Sequence, residues 1–139
     1  MTQVDFYILE ETAPRARALF ACRLTEKAFG LGHRVYLHTT SEGATRELDE
    51  LLWTFRDRSF LPHSLVDSGE DAPVLIGHEG EPVGPFHLLV NLGAEVPGFF
   101  VRFERVAEVV DGDEGQKARG RERFRFYKER GIAPETHKL

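Results

Sequence analysis

Basic side chains are concentrated in one segment near the C-terminus. Between Gln116 and Arg130 the sequence has seven Lys or Arg residues and two Glu residues, a local net charge of +5. The whole chain has a formal net charge of −5, so the remaining residues together carry −10. This asymmetry indicates a basic surface on an otherwise acidic body, and such a surface suits an acidic partner.

If the basic segment is helical, several of its cations form a stripe. At about 100° per residue, five side chains share one face, namely Lys117, Arg121, Phe124, Arg125 and Lys128. Crowded cations repel one another, and an aromatic ring among them suits a ligand that has carboxylates and an apolar group. A nucleic acid is the competing ligand, although the charge of −10 elsewhere disfavours extensive DNA contact. A merely solvated charged face is the third interpretation. Phe126 is predicted to point into the core, with Ala118 beside it.

A second candidate surface surrounds Trp53. Trp53 belongs to the second predicted helix, whose apolar stripe centres on Leu48 and Phe55, and it falls on the opposite side of that helix. The residues Phe60, Leu61 and Pro62 follow shortly after and could extend the same patch. Because Trp is enriched as an anchor in protein interfaces, a partner-binding surface is one interpretation. Cover by another part of the same chain is the other.

The remaining polar residues do not form a recognisable catalytic or metal-binding motif. The six histidines show no helical ligand spacing, Cys22 is the single cysteine, and no G-x-S-x-G motif is present. The position after the first predicted strand, where a glycine-rich phosphate loop would lie, is occupied by Glu10 and Glu11. We therefore predict no nucleotide-binding loop, no metal, no cofactor and no intrinsic catalysis. A nucleotide-dependent enzyme remains the alternative function, together with a direct single-stranded nucleic-acid-binding protein.

Hydrophobic periodicity and turn residues predict five strands and four helices. The predicted strands are 3–9, 34–39, 74–76, 86–92 and 105–110, and the helices are 14–29, 41–55, 97–103 and 113–130. This order favours a single α/β domain over residues 1–139 with a mostly parallel sheet. The two successive strands around the Gly- and Pro-rich loop 77–85 predict one antiparallel pair. The apolar run 86–92 predicts a central strand buried on both faces.

The bulk properties agree with a small intracellular protein. A chain of 139 residues with 41% hydrophobic and 29% charged residues can bury one continuous core. The N-terminus lacks the features of a signal peptide, and no apolar run approaches the length of a membrane span. A cytoplasmic location without membrane attachment is the resulting expectation.

Several motifs, spread over nearly the whole chain, resemble those of one known family. They are 6–9 (FYIL), 32–35 (GHRV), 48–53 (LDELLW) followed by 60–63 (FLPH), 107–110 (AEVV) and 121–128 (RERFRFYK). In these residues the sequence resembles the chi subunit of bacterial DNA polymerase III holoenzyme, and the LDELLW and FLPH blocks are the most specific part. The resemblance implies a Rossmann-like three-layer α/β sandwich without a nucleotide site. It also implies a non-catalytic adaptor of the clamp-loader complex in DNA replication.

The same resemblance implies two partners. The positions that match Trp53 and Phe60 contact the psi subunit in the family, and Leu61 and Pro62 are expected to belong to that surface. The positions that match Lys117, Arg121, Phe124 and Arg125 bind the acidic C-terminal tail of single-stranded DNA-binding protein, and Lys128 is expected to join them. Relatives carry Tyr where this chain has Phe124, so the ring is kept and the hydroxyl is lost.

Overall fold

One parallel sheet organises the chain. The computed structural model describes residues 2–56 and 61–139. Its strands are β1 (Gln3–Ile8), β2 (Val35–His38), β3 (His63–Leu65), β4 (Val74–Gly77), β5 (Leu88–Asn91), β6 (Arg105–Val110) and β7 (Glu135–Lys138). They join in the order β3-β4-β2-β5-β6-β1-β7, and within the described residues every neighbouring pair is parallel.

Helices cover both faces of this sheet. They are α1 (Ala16–Gly30), α2 (Glu42–Thr54) and α3 (Glu114–Glu129). Because side chains alternate along a strand, Val35 and Leu37 pack toward α1 and α2, whereas Tyr36 packs on the opposite face with residues of α3. A short 3₁₀ turn, Phe100–Arg102, completes that second layer. The predicted Rossmann-like three-layer α/β sandwich is confirmed.

The centre of the sheet is predicted correctly, but the antiparallel pair is wrong. β5 is the fourth of the seven strands, and all four of its residues are buried. β4 and β5 do not pair with each other, because both pair with β2, one on each side and both in parallel. The Gly- and Pro-rich segment between them is therefore a crossover past β2 and not a hairpin. Two parallel strands of the same sheet require such a crossover connection, because a tight hairpin would make them antiparallel.

Local sequence signals predict the position of α2 correctly. Ser41 caps the helix by accepting a hydrogen bond from the Ala44 N–H at 3.1 Å, as expected of a Ser at this position. Leu48, Leu51 and Leu52 are buried on its inner side.

The described part of the chain contains no helix with the length and hydrophobicity needed to cross a bilayer.

Two strands are not predicted from the sequence, and both lie at an edge of the sheet. β3 has only three residues, and the residues of β7 (ETHK) include no aliphatic or aromatic hydrocarbon side chain. Edge strands are often short and charged, so they lack the hydrophobic pattern that identifies a central strand. β7 pairs in parallel with β1, which brings the C-terminal residues beside the first strand.

Candidate functional site

A buried polar network fixes α3 on the sheet. Glu108, in the middle of β6, accepts hydrogen bonds from Arg123 Nε at 2.8 Å and from the Tyr127 hydroxyl at 2.6 Å. The Asn91 side-chain amide donates to the same carboxylate at 3.0 Å. All four side chains are buried, and Arg123 also donates to the carbonyl of Ala94 at 3.2 Å. The network therefore sets the rotation of α3 and decides which of its side chains face outward.

Two opposing effects act on the pKa of the Glu108 carboxyl group. Complete burial raises its pKa, whereas the ion pair with Arg123 and the three donated hydrogen bonds lower it, and the net direction is upward. The donors from Arg123, Tyr127 and Asn91 all point at the two carboxylate oxygens. Only an ionised carboxylate can accept from all of them without a competing proton, so the arrangement is a buried ion pair.

Close packing of α3 on β6 depends on Gly120. This residue is buried, and a Cβ atom placed on it would lie 2.9 Å from Cγ2 of Val110. The inner side of α3 thus consists of Gly120, Arg123 and Tyr127. Phe126 packs against the core as predicted, although it is only half-buried, whereas the prediction that Ala118 lies beside it on the buried side is wrong, because Ala118 is exposed. A helical wheel identifies the inner side of a helix from its hydrophobic residues, so it does not predict that an arginine is buried.

A groove of about 500 Å³ lies between α3 and β7. Its apolar floor consists of Phe6, Ile8, Val110, Gly120 and Phe124. Its rim consists of Lys117 and Arg121 on the helix, and of Thr136 and Lys138 on the strand. Cations therefore border the apolar floor from both sides. We call this feature the basic groove.

Phe124 links the floor of the basic groove to its rim. Its ring centroid lies 5.3 Å from that of Phe6 in a tilted arrangement, and the ring is half-buried. The Nζ atom of Lys128 lies 6.0 Å from the centroid of the same ring, at the outer limit of a cation–π contact. An apolar group entering the basic groove would thus meet an aromatic face with positive charge close by.

The structure brings most of the predicted basic stripe together. Lys117, Arg121 and Phe124 line the basic groove, and Lys128 lies beside Phe124. Arg125 is exposed on the same helix but does not line the groove. Lys138 is an additional lining residue that the sequence does not predict, because it belongs to the unpredicted strand β7.

The Trp53 surface is separate from the basic groove. Trp53 is 56% exposed, and its ring centroid lies 4.3 Å from that of the buried His63. The prediction of partial exposure is confirmed for Trp53, and Pro62 is exposed as well. Leu61 is only 3% exposed and belongs to the core of its own chain, so its predicted place on this surface is wrong. The predicted contribution of Phe60 lies outside the described residues.

A crevice of about 320 Å³ lies where a nucleotide would bind in a related fold, at the carboxyl ends of β1, β2, β5 and β6. The loop that leads from β1 into α1 has no glycine. The lining is mixed in charge, with Arg15 and Arg17 against Glu47 and Asp111. Burial, followed by the nearby charge of Arg123, lowers the pKa of Arg17 to about 10, and its Nε donates to the Val109 carbonyl at 2.9 Å. This crevice lacks the backbone cradle that binds phosphates.

The described features define a Rossmann-like α/β domain that has a basic groove between α3 and β7 and no glycine in the loop from β1 to α1. The family model described as "DNA polymerase III chi subunit, HolC" matches residues 1–135. The protein named DNA polymerase III subunit chi of Pseudomonas aeruginosa is 46% identical over 140 residues, which cover all of this chain and 98% of the relative. The proteins of the same name from Haemophilus influenzae and Escherichia coli are 32% and 27% identical, over 87% and 98% of this chain and 86% and 97% of their own length.

The chain therefore belongs to the DNA polymerase III chi subunit family. This confirms the family predicted from the sequence motifs. Membership implies an accessory role in DNA replication.

Proposed function

We propose that this protein is a non-catalytic adaptor that links the DNA polymerase III holoenzyme to single-stranded DNA-binding protein by binding its acidic C-terminal tail in the basic groove. The observation that carries this proposal is the apolar floor around Phe124 with cations on both sides. In the family the tail is acidic and ends in an apolar side chain with a free carboxylate. The basic groove offers a complement to each of these three features.

Each part of the tail has a matching group. Arg121 can form two parallel hydrogen bonds with a carboxylate, which Lys cannot do. The apolar terminal side chain can pack on Phe124 and Phe6, out of contact with water. Lys117 and Lys138, on opposite sides of the groove, attract acidic residues of the tail. The exposed charged contacts should each contribute about 1 kcal/mol or less, so binding should be weak, rapidly reversible and sensitive to salt.

Replacing Arg121 with Ala is expected to weaken binding of a tail peptide by up to about fivefold at low salt. The loss should shrink at high salt, because screening already weakens the contact in the unaltered protein. Fluorescence anisotropy with a labelled peptide that copies the tail of the single-stranded DNA-binding protein from the same organism measures both effects.

Arg119→Ala is the matched control, because Arg119 is an exposed arginine of α3 that does not line the basic groove. It should change the peptide affinity by less than about twofold. Equal losses for Arg119→Ala and Arg121→Ala would show that the helix attracts the peptide only through its overall charge. Binding of a single-stranded oligonucleotide tighter than that of the peptide at physiological salt would favour the direct nucleic-acid-binding function instead.

We propose further that the Trp53 surface binds the psi subunit or an equivalent protein of the clamp-loader complex. A large aromatic side chain that is more than half exposed is suited to act as an interface anchor. Its ring packs at a tilt against the ring of His63, whose Nε2 atom lies 3.2 Å from Oδ1 of Asp49. The anchor is therefore held in place on the surface of the free protein.

Trp53→Ala is expected to weaken binding of the psi subunit at least about tenfold and to leave tail-peptide binding unchanged. Surface plasmon resonance with immobilised psi subunit measures the first effect, and the peptide titration measures the second. Thr54→Ala, which alters the exposed neighbour of Trp53, is the control and should bind as the unaltered protein does. Undiminished binding by Trp53→Ala would remove this surface from the proposal.

A further inference from the structure

Three potential metal ligands meet where β7 joins β1. Asp5, Glu135 and His137 each place one ligand atom within 4.8 Å of the other two. The parallel register aligns Asp5 with Glu135, and strand alternation puts Glu135 and His137 on the same side of β7. This side is opposite to the one on which Thr136 and Lys138 line the basic groove.

The distance between Asp5 and His137 is close to that between two ligands of a zinc site. The Nε2 atom of His137 lies 3.0 Å from Oδ1 of Asp5. Zinc bonds to nitrogen and oxygen are about 2.0 to 2.2 Å long, so two ligands at a tetrahedral angle lie roughly 3.3 Å apart. A shift of a few tenths of an ångström between these two atoms would therefore admit the ion. Glu135 is exposed and can rotate its carboxylate to supply the third ligand.

Two of the ligands are already oriented. The ring of His137 stacks on that of Tyr7, with centroids 5.0 Å apart and an interplanar angle of 18°. Asp5 is almost fully buried, and its other oxygen, Oδ2, accepts a hydrogen bond from Arg105 Nη2 at 2.8 Å. Asp5 is thus held with Oδ1 directed at His137.

From this geometry we infer that Asp5, Glu135 and His137 form a Zn²⁺ site that fastens the C-terminal strand β7 to β1. One imidazole and two carboxylates are a ligand set that zinc accepts, with the fourth position left to water. The ion would replace the hydrogen bond between Nε2 of His137 and Oδ1 of Asp5. Among the described residues β7 pairs with β1 alone, so an ion with two ligands on β7 and one on β1 would join the two strands of that pair.

Arg105 disfavours cation binding at this site, and its substitution therefore tests the proposal. Its guanidinium carries a positive charge next to Asp5 and would repel a divalent cation. Arg105 is half-exposed on its side-chain atoms, so its removal does not open a core cavity. Arg105→Gln should therefore bind zinc more tightly than the unaltered protein, a result that a purely structural ion pair would not produce.

The test is calorimetric titration of the tag-free protein with ZnCl₂, together with its thermal unfolding. We expect binding of one ion, and a rise in Tm of about 5 to 10 °C when zinc is present at 100 times its Kd. MgCl₂ should give neither, because Mg²⁺ requires an octahedral shell of oxygen ligands. Hydrogen exchange should slow at the amides of β7 when zinc is added and stay unchanged at β3, the opposite edge.

Two variants decide the assignment. His137→Gln, which keeps a polar side chain at a half-exposed edge position, should abolish zinc binding and the rise in Tm. His33→Gln removes one member of another histidine pair, the stacked rings of His33 and His87 at 5.1 Å, and should bind zinc as the unaltered protein does. The inference is overturned if zinc gives no heat, if His137→Gln still binds it, or if Arg105→Gln binds it less tightly.

Discussion

Arg123→Met is expected to lower the free energy of unfolding by about 3 to 5 kcal/mol. The substitution keeps the length and apolar stem of the side chain but removes the charge that balances Glu108. Because Glu108 is fully buried, its carboxylate would lose its ion-pair partner at a position that water does not reach. A domain of this size has about 5 to 15 kcal/mol of stability in total. The variant should therefore unfold at a much lower urea concentration.

Arg121→Met is the matched control for this experiment. It makes the same chemical change two residues away on α3, at an exposed position on the rim of the basic groove. Its free energy of unfolding should stay within about 0.5 kcal/mol of the unaltered value. A similar urea midpoint for the Arg123 and Arg121 variants would show that the buried ion pair does not hold α3 on the sheet.

A second substitution tests the cause of the loss. Glu108→Gln added to Arg123→Met removes the unbalanced charge and leaves an amide oxygen to accept from Tyr127 or Asn91. The double variant should therefore be more stable than Arg123→Met alone, since an uncompensated buried charge costs more than a lost hydrogen bond. A double variant that is less stable would attribute the loss to packing and not to charge.

The parts of the fold that the sequence predicts are those with a local, repeated signal. The apolar stripe around Leu48 and the Ser41 cap identify α2, and an unbroken apolar run identifies β5 at the centre of the sheet. The antiparallel pair is wrong because sequence order does not reveal that a third strand, β2, lies between β4 and β5. β7 is missed because its stabilising contact is a main-chain pairing with β1, which requires no apolar side chain.

Of the basic groove, the sequence predicts the side formed by α3 but not the side formed by β7. The stripe on α3 follows from helical spacing, so Lys117, Arg121 and Phe124 are found from the sequence, whereas Lys138 is not, because it depends on β7. A signal for the buried network is nevertheless present. Alternation along β6 puts Glu108 on the same side as the buried Val106 and Val110, and a carboxylate there requires a buried partner. Arg123, among many exposed cations, is that partner.

Phe124→Ala is expected to weaken binding of the tail peptide by about 2 to 3 kcal/mol, or roughly 30- to 150-fold. The effect should exceed that of Arg121→Ala, because truncation removes the aromatic part of the groove floor on which the apolar terminal side chain would pack. The charged contacts remain exposed to water and are screened, so each contributes less. Calorimetric titration with the peptide at low salt measures the loss. The residual binding should depend on salt more strongly, since charge would then supply most of it.

Phe126→Ala distinguishes loss of the groove from loss of the helix. Both phenylalanines are half-buried on α3, but Phe126 packs against Phe100 at 5.9 Å and under the guanidinium of Arg130 at 3.4 Å, away from the basic groove. Its truncation should lower stability by an amount similar to that for Phe124→Ala and leave the peptide affinity within about twofold. Phe124→Tyr keeps the ring and should bind at least as well as the unaltered protein. If Phe126→Ala weakens the peptide as much as Phe124→Ala does, the tail does not dock on the floor of the basic groove, and its affinity depends on the integrity of α3 alone.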